Sequence, residues 1–348
     1  MSHPRPDDNA LRHQPESGAG HVESYFLRAN HPDEPRAVWL KATVLAPKGT
    51  SQGTAGEATS RVWAILFDGT TDTVWAGQQT VPLAEAHFEA GGDGRVDIEA
   101  AGCSFTLGPN GTAAGSLTTD AGSGAWDLRW EAAPAPFGAP LTLLPHRVML
   151  DAPFPKSKTL TPFPVLRFSG ELRLGKQTVE VRDWVGMQGH NWGREHAWQY
   201  AWGQCVFPDA QGEPHCVVEG FTARIKLAGW VTPPLSMLLV RRGGRTYRFN
   251  RLIDLPRHTA EVGDVSWSVR LRGPDGEAQL VMEARPEWTV CLGYANPDGR
   301  QSYCFNSKLA QTTLRVNPFN EDAFECTSPH GGALELLTST PDPRFPVV

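Results

Sequence analysis

The sequence contains no long apolar stretch. None of its 348 residues falls in an uninterrupted apolar run of about 18 residues, the length that a membrane-spanning helix needs. The first twenty residues are polar and carry no apolar core of the kind found in secretory signal peptides. We therefore expect a cytoplasmic protein, and we leave open whether it associates peripherally with a membrane surface.

Positive charge is also scarce. The chain carries 32 Lys and Arg against 38 Asp and Glu, a formal net charge of -6, and no stretch gathers basic residues on one face. Nucleic acids are bound mainly through such a basic field, so nucleic acid is not expected as a partner. The glycine-rich segments 91–94 and 108–111 are typical of hairpin turns, with no helix after them. No phosphate-binding loop, and no nucleotide or other cofactor, is therefore predicted.

The six cysteines lie apart, without any Cys-x-x-Cys pair. In a cytoplasmic protein this pattern indicates reduced core thiols rather than disulfides. A metal site would require several His and Cys residues near mid-chain to converge. Those residues are His190, His196, Cys205, His215 and Cys216. Their spacing matches no standard ligand pattern, so no metal is predicted.

Long helix-forming runs are missing too, whereas glycine (35) and proline (29) are abundant. Short candidate strands recur about every ten residues from Val22 onward, separated by turn sequences. We predict an all-β protein with few or no helices, in which two antiparallel barrels follow one another. The predicted units are a disordered lead over residues 1–20, a first barrel over 21–185 and a second barrel over 186–348.

Five hairpins are predicted after residue 165, because pairs of candidate strands flank short turns. The turns lie at 175–177, 208–214, 243–244, 274–276 and 296–299. The proline-rich passage 145–164 is predicted to be a long crossing loop, since proline lacks the amide donor that a central strand needs. Residues 307–311 are predicted to form one short helix.

The most distinctive stretch runs from Asp183 to Cys205 and holds four of the twelve tryptophans. Its first part has glycines on both sides of His190, Asn191 and Trp192, which predicts a tight loop that directs these side chains into a cavity. From His196 onward the pattern has period two, which predicts a strand with one large aromatic face. That face carries His196, Trp198, Tyr200, Trp202 and Gln204.

The hairpin after this strand determines which residues face the tryptophans. A register centred on the turn at 208–214 places Trp202 opposite Glu219 and Cys205 opposite Cys216. A slip by two residues stays open.

The motif His190-Asn191-Trp192-Gly193, followed by a tryptophan-rich strand, resembles the mid-chain motif of the double-lipocalin family. That family includes the carotenoid hydratases (hydroxyneurosporene synthases), is similar to the tocopherol cyclases, and has uncharacterised bacterial members, which this chain resembles most. Weaker likeness lies at 25–33, 37–40 and 306–310. The resemblance implies two lipocalin-like barrels in tandem. It also implies a small lipophilic substrate, isoprenoid or polyketide-like, that is hydrated, cyclised or isomerised without a redox cofactor.

Acid-initiated hydration or cyclisation of an alkene needs an acid, a wall that tolerates a cation, and a dry cavity. The acid would be a carboxyl or imidazole group kept protonated by burial. The local candidates for this role are Asp183, His190, Glu195, His196 and Glu219. Asn191 would orient the acid or the attacking water.

Aromatic faces stabilise cations, each by about 0.5 to 2 kcal/mol. The predicted ligand-binding wall therefore comprises Trp184, Trp192, Trp198, Tyr200 and Trp202.

Two other hypotheses fit the same residues. The protein would be a carrier if the cavity held a lipophilic ligand whose polar neighbours were all paired, and a scaffold if the tryptophans only packed an interface. As an alternative to catalysis, His190 and His196 would each anchor a loop by bonding a backbone carbonyl. Glu195 would instead form a solvated ion pair with Arg194. The catalytic hypothesis requires His190, Trp192 and Glu219 to project into one cavity. The oligomeric state is left open.

Overall fold

The computed structural model describes residues 8–14, 18–49, 57–91, 94–227 and 230–348, and most of them lie in β-strands. The strands of the first half are β1 (His21–Asn30), β2 (Arg36–Ala46), β3 (Thr59–Asp68), β4 (Thr73–Pro82), β5 (His87–Ala90), β6 (Val96–Ala100), β7 (Cys103–Leu107), β8 (Asn110–Thr119), β9 (Gly122–Ala132), β10 (Ser157–Leu174) and β11 (Gln177–Gly193). Those of the second half are β12 (Gln199–Pro208), β13 (Pro214–Arg224), β14 (Lys226–Leu227), β15 (Trp230–Val231), β16 (Leu235–Arg242), β17 (Arg245–Phe249), β18 (Thr259–Val262), β19 (Ser266–Gly273), β20 (Gly276–Glu283), β21 (Val290–Ala295), β22 (Gln301–Pro318) and β23 (Phe324–Thr338). Short 3-10 helices lie at Leu83–Glu85, Arg147–Leu150, Leu252–Arg257 and Pro286–Trp288. In the part of the chain that the structure describes, no helix is long and apolar enough to cross a membrane.

The first half folds into one antiparallel sheet. Within the described residues its eleven strands follow the order β4-β3-β2-β1-β11-β10-β9-β8-β7-β6-β5. The sheet curls until β4 contacts β8. Its middle is the pairing of β1 with β11, where Tyr25 lies opposite His190 and Glu23 opposite Trp192.

The second half forms a second curled antiparallel sheet. Its described strands follow the order β17-β16-β13-β12-β23-β22-β20-β19-β18, with β21 paired to β22, and its two ends approach each other where β17 contacts β19. The strands β14 and β15 form a separate small hairpin. The predicted all-β fold with two barrel-like sheets in tandem is confirmed, and the five predicted hairpins all form.

Alternate side chains divide the apolar residues into three layers. In β1, Tyr25 and Leu27 point into the core of the first sheet, whereas Phe26 lies in the layer between the two sheets. In β12, Ala201 belongs to the core of the second sheet and Trp202 to the layer between them. Both sheets therefore have an apolar inner core and share a third core.

Buried arginines connect the two halves across that shared layer. Arg28 of β1 donates to Gln204 and, at 3.1 Å, to the carbonyl of Gly331. Arg241 of β16 donates to the carbonyls of Pro136 and Ala139 at 2.8 and 2.6 Å, which fixes the segment after β9 against the second sheet. Charge-assisted bonds of this kind are stronger than neutral ones, so they hold the two sheets in one arrangement.

The loop predicted around His190 is wrong, because β11 continues as a paired strand to Gly193. The glycines serve close packing inside the sheet rather than a turn. A Cβ on Gly189 would lie 2.1 Å from the ring of Phe26, and one on Gly186 would lie 1.7 Å from the carbonyl oxygen of Arg28. The first sheet thus includes the whole motif, and the chain passes to the second sheet between Gly193 and Gln199.

Two further expectations about local structure are corrected. The proline-rich passage is a loop only as far as residue 156, since β10 starts at Ser157 and carries Pro162 and Pro164 at positions where its pairing with β11 shifts register. Proline is tolerated there because a bulge leaves an amide out of the ladder. The helix predicted at 307–311 is also wrong: these residues lie in β22, at two register shifts against β23.

The amino-terminal lead is packed where the structure describes it. Asp8 and Asn9 are buried, and Asn9 Nδ2 donates to the carbonyl of Gly94 at 2.7 Å. The expectation of disorder therefore fails for residues 8–14, while residues 1–7 and 15–17 lie outside the described residues.

The register of the β12–β13 hairpin differs by two residues from the one centred on its turn. Trp202 lies opposite Phe221, Gln204 opposite Glu219 and Cys205 opposite Val218. Cys205 and Cys216 are therefore not cross-strand partners, and each is a free cysteine.

Candidate functional site

A cavity of about 630 Å³ lies in the layer between the two sheets. The first sheet lines it with Phe26, Trp39 and Lys41, and the second with Trp202 and Phe221. These side chains point away from the inner cores, which are packed with apolar residues. The cavity expected inside a barrel is thus found between the two barrels, because large side chains fill the barrel interiors.

One end of the cavity, which we call the buried end, contains a polar cluster around Glu335 of β23. Glu335 Oε1 accepts hydrogen bonds from Lys308 Nζ at 2.8 Å and Asn306 Nδ2 at 3.2 Å, and Oε2 accepts one from Tyr200 OH at 3.5 Å. Glu335 and Tyr200 line the cavity, whereas Lys308 is fully buried behind it. The second sheet therefore supplies a carboxylate and a phenol to the cavity wall.

Lys41 of β2 faces this cluster from the first sheet. Its side chain is buried, and within the described residues its ammonium group forms no hydrogen bond or ion pair. It lies over aromatic rings instead, with Nζ 4.0 Å from the ring centroid of Tyr294 and 5.7 Å from that of Trp39. Burial lowers the pKa of Lys41 to about 8, while the nearby Glu335 opposes that shift.

Tyr294 of β21 completes the buried end. Its hydroxyl oxygen is buried and has no hydrogen-bond partner among the described residues. Burial also raises the pKa of Tyr294, so the phenol stays protonated at neutral pH. The ammonium group of Lys41 and the ring of Tyr294 thus meet at the end of the cavity. The phenol oxygen of Tyr294 is buried just behind the cavity surface without a hydrogen-bond partner among the described residues.

Glu219 of β13 lies directly behind the cavity wall. Its Oε1 accepts hydrogen bonds from Thr161 Oγ1 at 2.7 Å and from the indole nitrogen of Trp202 at 3.2 Å. Its Oε2 is buried without a partner among the described residues. Burial is the main cause that raises the pKa of Glu219 to about 7. Glu219 contacts the lining residue Trp202 but is not itself part of the lining.

His190 lies inside the first sheet and does not line the cavity. Its Nδ1 is 2.9 Å from the carbonyl oxygen of Asp8, its Nε2 is 2.8 Å from Glu23 Oε1, and its ring stacks on Tyr25. A carbonyl oxygen only accepts, so Nδ1 carries a hydrogen. The histidine therefore holds the amino-terminal lead against β1 and β11, which is the anchoring alternative. Its predicted catalytic role stays a prediction.

Glu23, the partner of His190, is fully buried and saturated with donors. It accepts from the backbone N–H of Arg12 at 2.9 and 3.0 Å, from the Tyr25 hydroxyl at 3.0 Å, and pairs with His21 at 2.8 Å. Burial opposes ionisation, but the hydrogen bonds of His190 and His21 outweigh it and lower the pKa of Glu23 to about 2.

The other end of the cavity, the mouth, carries several of the predicted site residues. Glu195 forms ion pairs with Lys156 at 3.0 Å and Arg300 at 3.8 Å. His196 reaches from the mouth to the buried end, where its ring stacks on Tyr294 with the centroids 5.5 Å apart, and its Nδ1 lies 3.1 Å from Asn296 Oδ1. Burial, followed by the positive charge of Lys41, lowers the pKa of His196 to about 4, so its ring is neutral at pH 7. Trp198 lies beneath Lys226 and Arg300. Asn191 and Trp192 line the cavity as well.

The structure thus divides the predicted site residues into two groups. The residues brought together around the cavity are Asn191, Trp192, Glu195, His196, Trp198, Tyr200 and Trp202. Those outside its lining are Asp183, which is exposed, Trp184 and His190, inside the first sheet, and Glu219, behind Trp202. His190, Trp192 and Glu219 therefore do not project into one cavity, so the arrangement that the catalytic hypothesis requires of these three residues is absent.

Four residues of interest were not among the sequence candidates: Glu23, Lys41, Tyr294 and Glu335. A signal for two of them is present in the sequence. Lys41 interrupts the apolar run Ala37–Val38–Trp39–Leu40, and Glu335 interrupts Leu334–Glu335–Leu336–Leu337. A charged residue inside a strand that is otherwise apolar is costly to bury, which makes such positions worth examining.

Within the described ranges, no three His, Cys, Asp or Glu side chains come together as a metal site would require. His215, one of the mid-chain residues considered for such a site, instead lies 3.1 Å from Nε of Arg242.

Comparisons with known proteins support the fold. No family model matches the chain. An uncharacterised protein of Mycobacterium tuberculosis, known from two strains, is 25% identical over 299 residues, which cover 86% of this chain and 82% of that protein.

Solved structures share the architecture at low sequence identity. CghA in complex with Sch210972 matches with a TM-score of 0.59 and 12% identity, over 97% of this chain and 95% of that one. A Nitrosomonas europaea protein named provisionally as ATTH matches with a TM-score of 0.56 and 12% identity, over 97% and 99%. Kievitone hydratase from Nectria haematococca matches with a TM-score of 0.50 and 10% identity, over 98% and 97%. At these identities the likeness shows the shared double-sheet fold.

Proposed function

We propose that the protein is an enzyme that isomerises, cyclises or hydrates a small lipophilic molecule bearing a carbonyl or enol oxygen. The observation that carries this proposal is the unpaired ammonium group of Lys41 at the buried end of an apolar cavity, beside the unpaired hydroxyl of Tyr294 and the carboxylate of Glu335.

The cavity suits a lipophilic ligand. Its volume of about 630 Å³ falls within the range of roughly 300 to 1,000 Å³ that is usual for small-molecule sites. Trp192, Trp202, Phe221 and Met237 offer it apolar surface, and the buried end adds the polar groups of Lys41, Tyr200, Tyr294 and Glu335. Such a ligand would bind with its oxygen atom inward.

The chemistry follows from the donors at that end. The Lys41 ammonium and the Tyr294 hydroxyl would hydrogen-bond the carbonyl oxygen and stabilise the negative charge that develops there. Glu335 would remove a proton from the adjacent carbon, and the electron pair of that C–H bond would form the double bond of an enolate. Returning the proton to another carbon gives an isomer. Addition of water or of an internal nucleophile to a conjugated double bond gives a hydrated or cyclised product.

An acid-initiated reaction on an unactivated alkene is less well supported. An ammonium group with a pKa of about 8 suits proton transfer with oxygen near neutral pH, but it is too weak an acid to protonate an isolated double bond. The similarity of the sequence motif to carotenoid hydratases and tocopherol cyclases supports the reaction class, and so does the fold shared with a protein named kievitone hydratase. Neither identifies a substrate.

The carrier hypothesis requires that the polar groups of the cavity be paired. Two groups depart from that requirement. The Tyr294 hydroxyl is buried without a hydrogen-bond partner among the described residues, and the buried Lys41 ammonium group lies over aromatic rings. Burying unpaired donors costs stability that a simple container would not need to lose. This favours an enzyme.

A solvent-exchange assay tests the proposal. The protein is incubated in D2O with β-ionone and with dodecane-2,4-dione, and mass spectrometry measures deuterium at the carbons next to the carbonyl. We expect protein-dependent exchange that Lys41→Met and Glu335→Gln abolish. Arg61→Met provides a matched control, since Arg61 also lies over a tryptophan but outside the cavity lining.

Titration calorimetry with the same two probes measures binding and so distinguishes an enzyme from a carrier. Binding of both probes without exchange above the buffer rate would favour the carrier. Equal exchange by the wild type and Lys41→Met would exclude Lys41 from the reaction.

A further inference from the structure

The large apolar side chains on the protein surface are concentrated at the mouth of the cavity. Within the described residues nine such side chains are exposed, and six of them lie on three short segments. These six are Val148, Phe154, Trp230, Val231, Leu252 and Ile253. Trp230 is 81% exposed and Ile253 72%, values that are unusual for residues of this size unless something covers them.

The three segments surround the mouth. The first, 147–158, contributes Met149 and Phe154 to the cavity lining; the second contains the β14–β15 hairpin and contributes Lys226; the third is the 3-10 helix Leu252–Arg257, which contributes Leu252. Each of the six exposed apolar residues either lines the cavity or lies within two residues of one that does. The apolar surface therefore continues from outside the protein into the cavity.

The charge of these segments is opposite to that of the whole chain. Segments 147–158, 224–232 and 251–257 carry seven basic and two acidic residues: Arg147, Lys156, Lys158, Arg224, Lys226, Arg251 and Arg257 against Asp151 and Asp254. The chain as a whole has a net charge of -6. Glu195 and Asp298, also at the mouth, are paired with Lys156 and Arg300. The mouth is therefore a positively charged, apolar surface on an acidic protein.

We propose that this surface docks on an anionic lipid bilayer, so that the cavity opens toward the membrane and takes its ligand from it. Trp230 and Ile253 would insert into the headgroup region, since exposed tryptophan and aliphatic side chains partition there. Lys158 is buried and Arg147 is paired with Asp8. The exposed basic residues would be attracted by anionic lipids, each near the surface adding to the affinity; they are Lys156, Arg224, Lys226, Arg251 and Arg257. The net negative charge elsewhere would orient the protein with its mouth toward the bilayer.

A second copy of this chain is a poorer occupant of the same surface. Two identical mouths would bring their basic residues together, and like charges in contact oppose association. An anionic bilayer supplies both the apolar depth and the opposite charge.

Vesicle flotation tests the proposal. The full-length protein is mixed with vesicles of phosphatidylcholine alone, or with one quarter phosphatidylserine, and the bound fraction is measured. We expect binding to the anionic vesicles that weakens in high salt. The double variant Trp230→Ser, Ile253→Ser should bind about tenfold more weakly or worse, because two inserted apolar side chains are lost. The matched control is Val262→Ser, Phe319→Ser, which removes two exposed apolar residues away from the mouth.

The proposal is overturned if the wild type does not float with anionic vesicles, or if the control variant loses as much binding as the mouth variant. It is also overturned if light scattering shows a wild-type dimer that Trp230→Ser, Ile253→Ser dissociates, since a second copy would then cover the surface. The proposal rests on the proposed function only in requiring a lipophilic ligand. Exchange of β-ionone in vesicle-free solution should be the same in the mouth variant and the wild type, so the failure of one proposal can be told from that of the other.

Discussion

Two buried polar clusters lie within the same protein and differ in how far their groups are paired. Around Glu23, inside the first sheet, the carboxylate receives the backbone amide of Arg12, the Tyr25 hydroxyl and the rings of His21 and His190. Between the sheets, the ammonium group of Lys41 lies over aromatic rings and near Glu335, and it makes no hydrogen bond or ion pair among the described residues.

This difference shows that burial of a charge does not by itself indicate function. Hydrogen bonds lower the pKa of Glu23 to about 2 and make the ion a stable part of the fold. Burial lowers the pKa of Lys41 to about 8, so the ammonium group, which faces a cavity, loses its proton close to neutral pH. A saturated cluster stabilises the structure, whereas an unsaturated one at a cavity costs stability and is retained where a ligand completes it.

The largest effect is expected from breaking the saturated cluster. Glu23→Ala would remove the acceptor that the Arg12 N–H and the His190 ring share, whereas the Tyr25 hydroxyl would keep the carbonyl of Asn9 at 3.0 Å. Removing one partner of a buried ion pair typically costs about 3 to 5 kcal/mol. Urea unfolding at pH 7 measures this loss. Glu89→Ala, which removes an exposed carboxylate paired with His87, should have little effect. Equal losses in the two variants would contradict the assignment of Glu23 as structural.

The lowered pKa of Glu23 predicts that its contribution to the stability of the fold depends on pH in the acid range. Because the pKa of Glu23 is lowered from 4.5 to about 2, its contribution is present above pH 4.5 and is lost as the pH falls toward 2. The shift corresponds to about 3 kcal/mol. The difference in unfolding free energy between the wild type and Glu23→Ala should therefore narrow between pH 4.5 and pH 2. A difference that stays constant over that range would show that folding does not lower the pKa of Glu23.

A substitution in the unsaturated cluster around Lys41 should change the free energy of unfolding in the opposite direction. Lys41→Met keeps the apolar stem and removes the unpaired charge, so it should stabilise the protein. The pKa of Lys41 falls from 10.5 to about 8 on folding, which corresponds to about 3 kcal/mol at pH 7. The gain should shrink as the pH rises from 8 to 10.5, where the unfolded chain binds the proton that the folded protein has already lost. Urea unfolding of the wild type and the variant at pH 7 measures the stabilisation, and the same comparison at pH 9.5 measures how far it has shrunk. Destabilisation at pH 7 would mean that Lys41 has a partner in solution.

The architecture could be predicted from sequence because it depends on local patterns. Alternating apolar residues and turn sequences predict the hairpins around Gly175, Gly243 and Gly276, and these form. The strand through His190 was missed, because Gly186 and Gly189 suggest a turn when their neighbours are unknown. Only the close approach of Phe26 and Arg28 from β1 explains these glycines.

The site could be predicted only in part, for a related reason. The tryptophan-rich strand indicates the part of the wall formed by Tyr200 and Trp202, since its period of two is a local property. The strand starts only at Gln199, so the prediction that it includes His196 and Trp198 is wrong, although both residues line the cavity. The buried end brings together Lys41 and Glu335, which are nearly three hundred positions apart, and this juxtaposition depends on how the two sheets pack. The same long-range contacts decide that His190 anchors the amino-terminal lead. They also decide which side chains face the cavity.

Glu219 is only partly paired, which places it between the saturated cluster of Glu23 and the unsaturated cluster of Lys41. Its substitution should give the smallest change in the free energy of unfolding. One oxygen is bonded to Thr161 and Trp202 and the other has no partner in the described structure, and its pKa is raised from 4.5 to about 7. The folded protein therefore holds a proton that the unfolded chain releases, and stability should fall as the pH rises from 4.5 to 7. Glu219→Gln should remove this dependence and stabilise the protein at pH 8 by about 2 kcal/mol, because part of the shift is offset by an amide donor left unpaired. At pH 6 the wild-type carboxyl is already neutral, so deuterium exchange by the wild type and the variant should be equal if Glu219 only positions Trp202. Loss of exchange at pH 6 would instead identify Glu219 as the proton donor that its place near the tryptophan strand predicts.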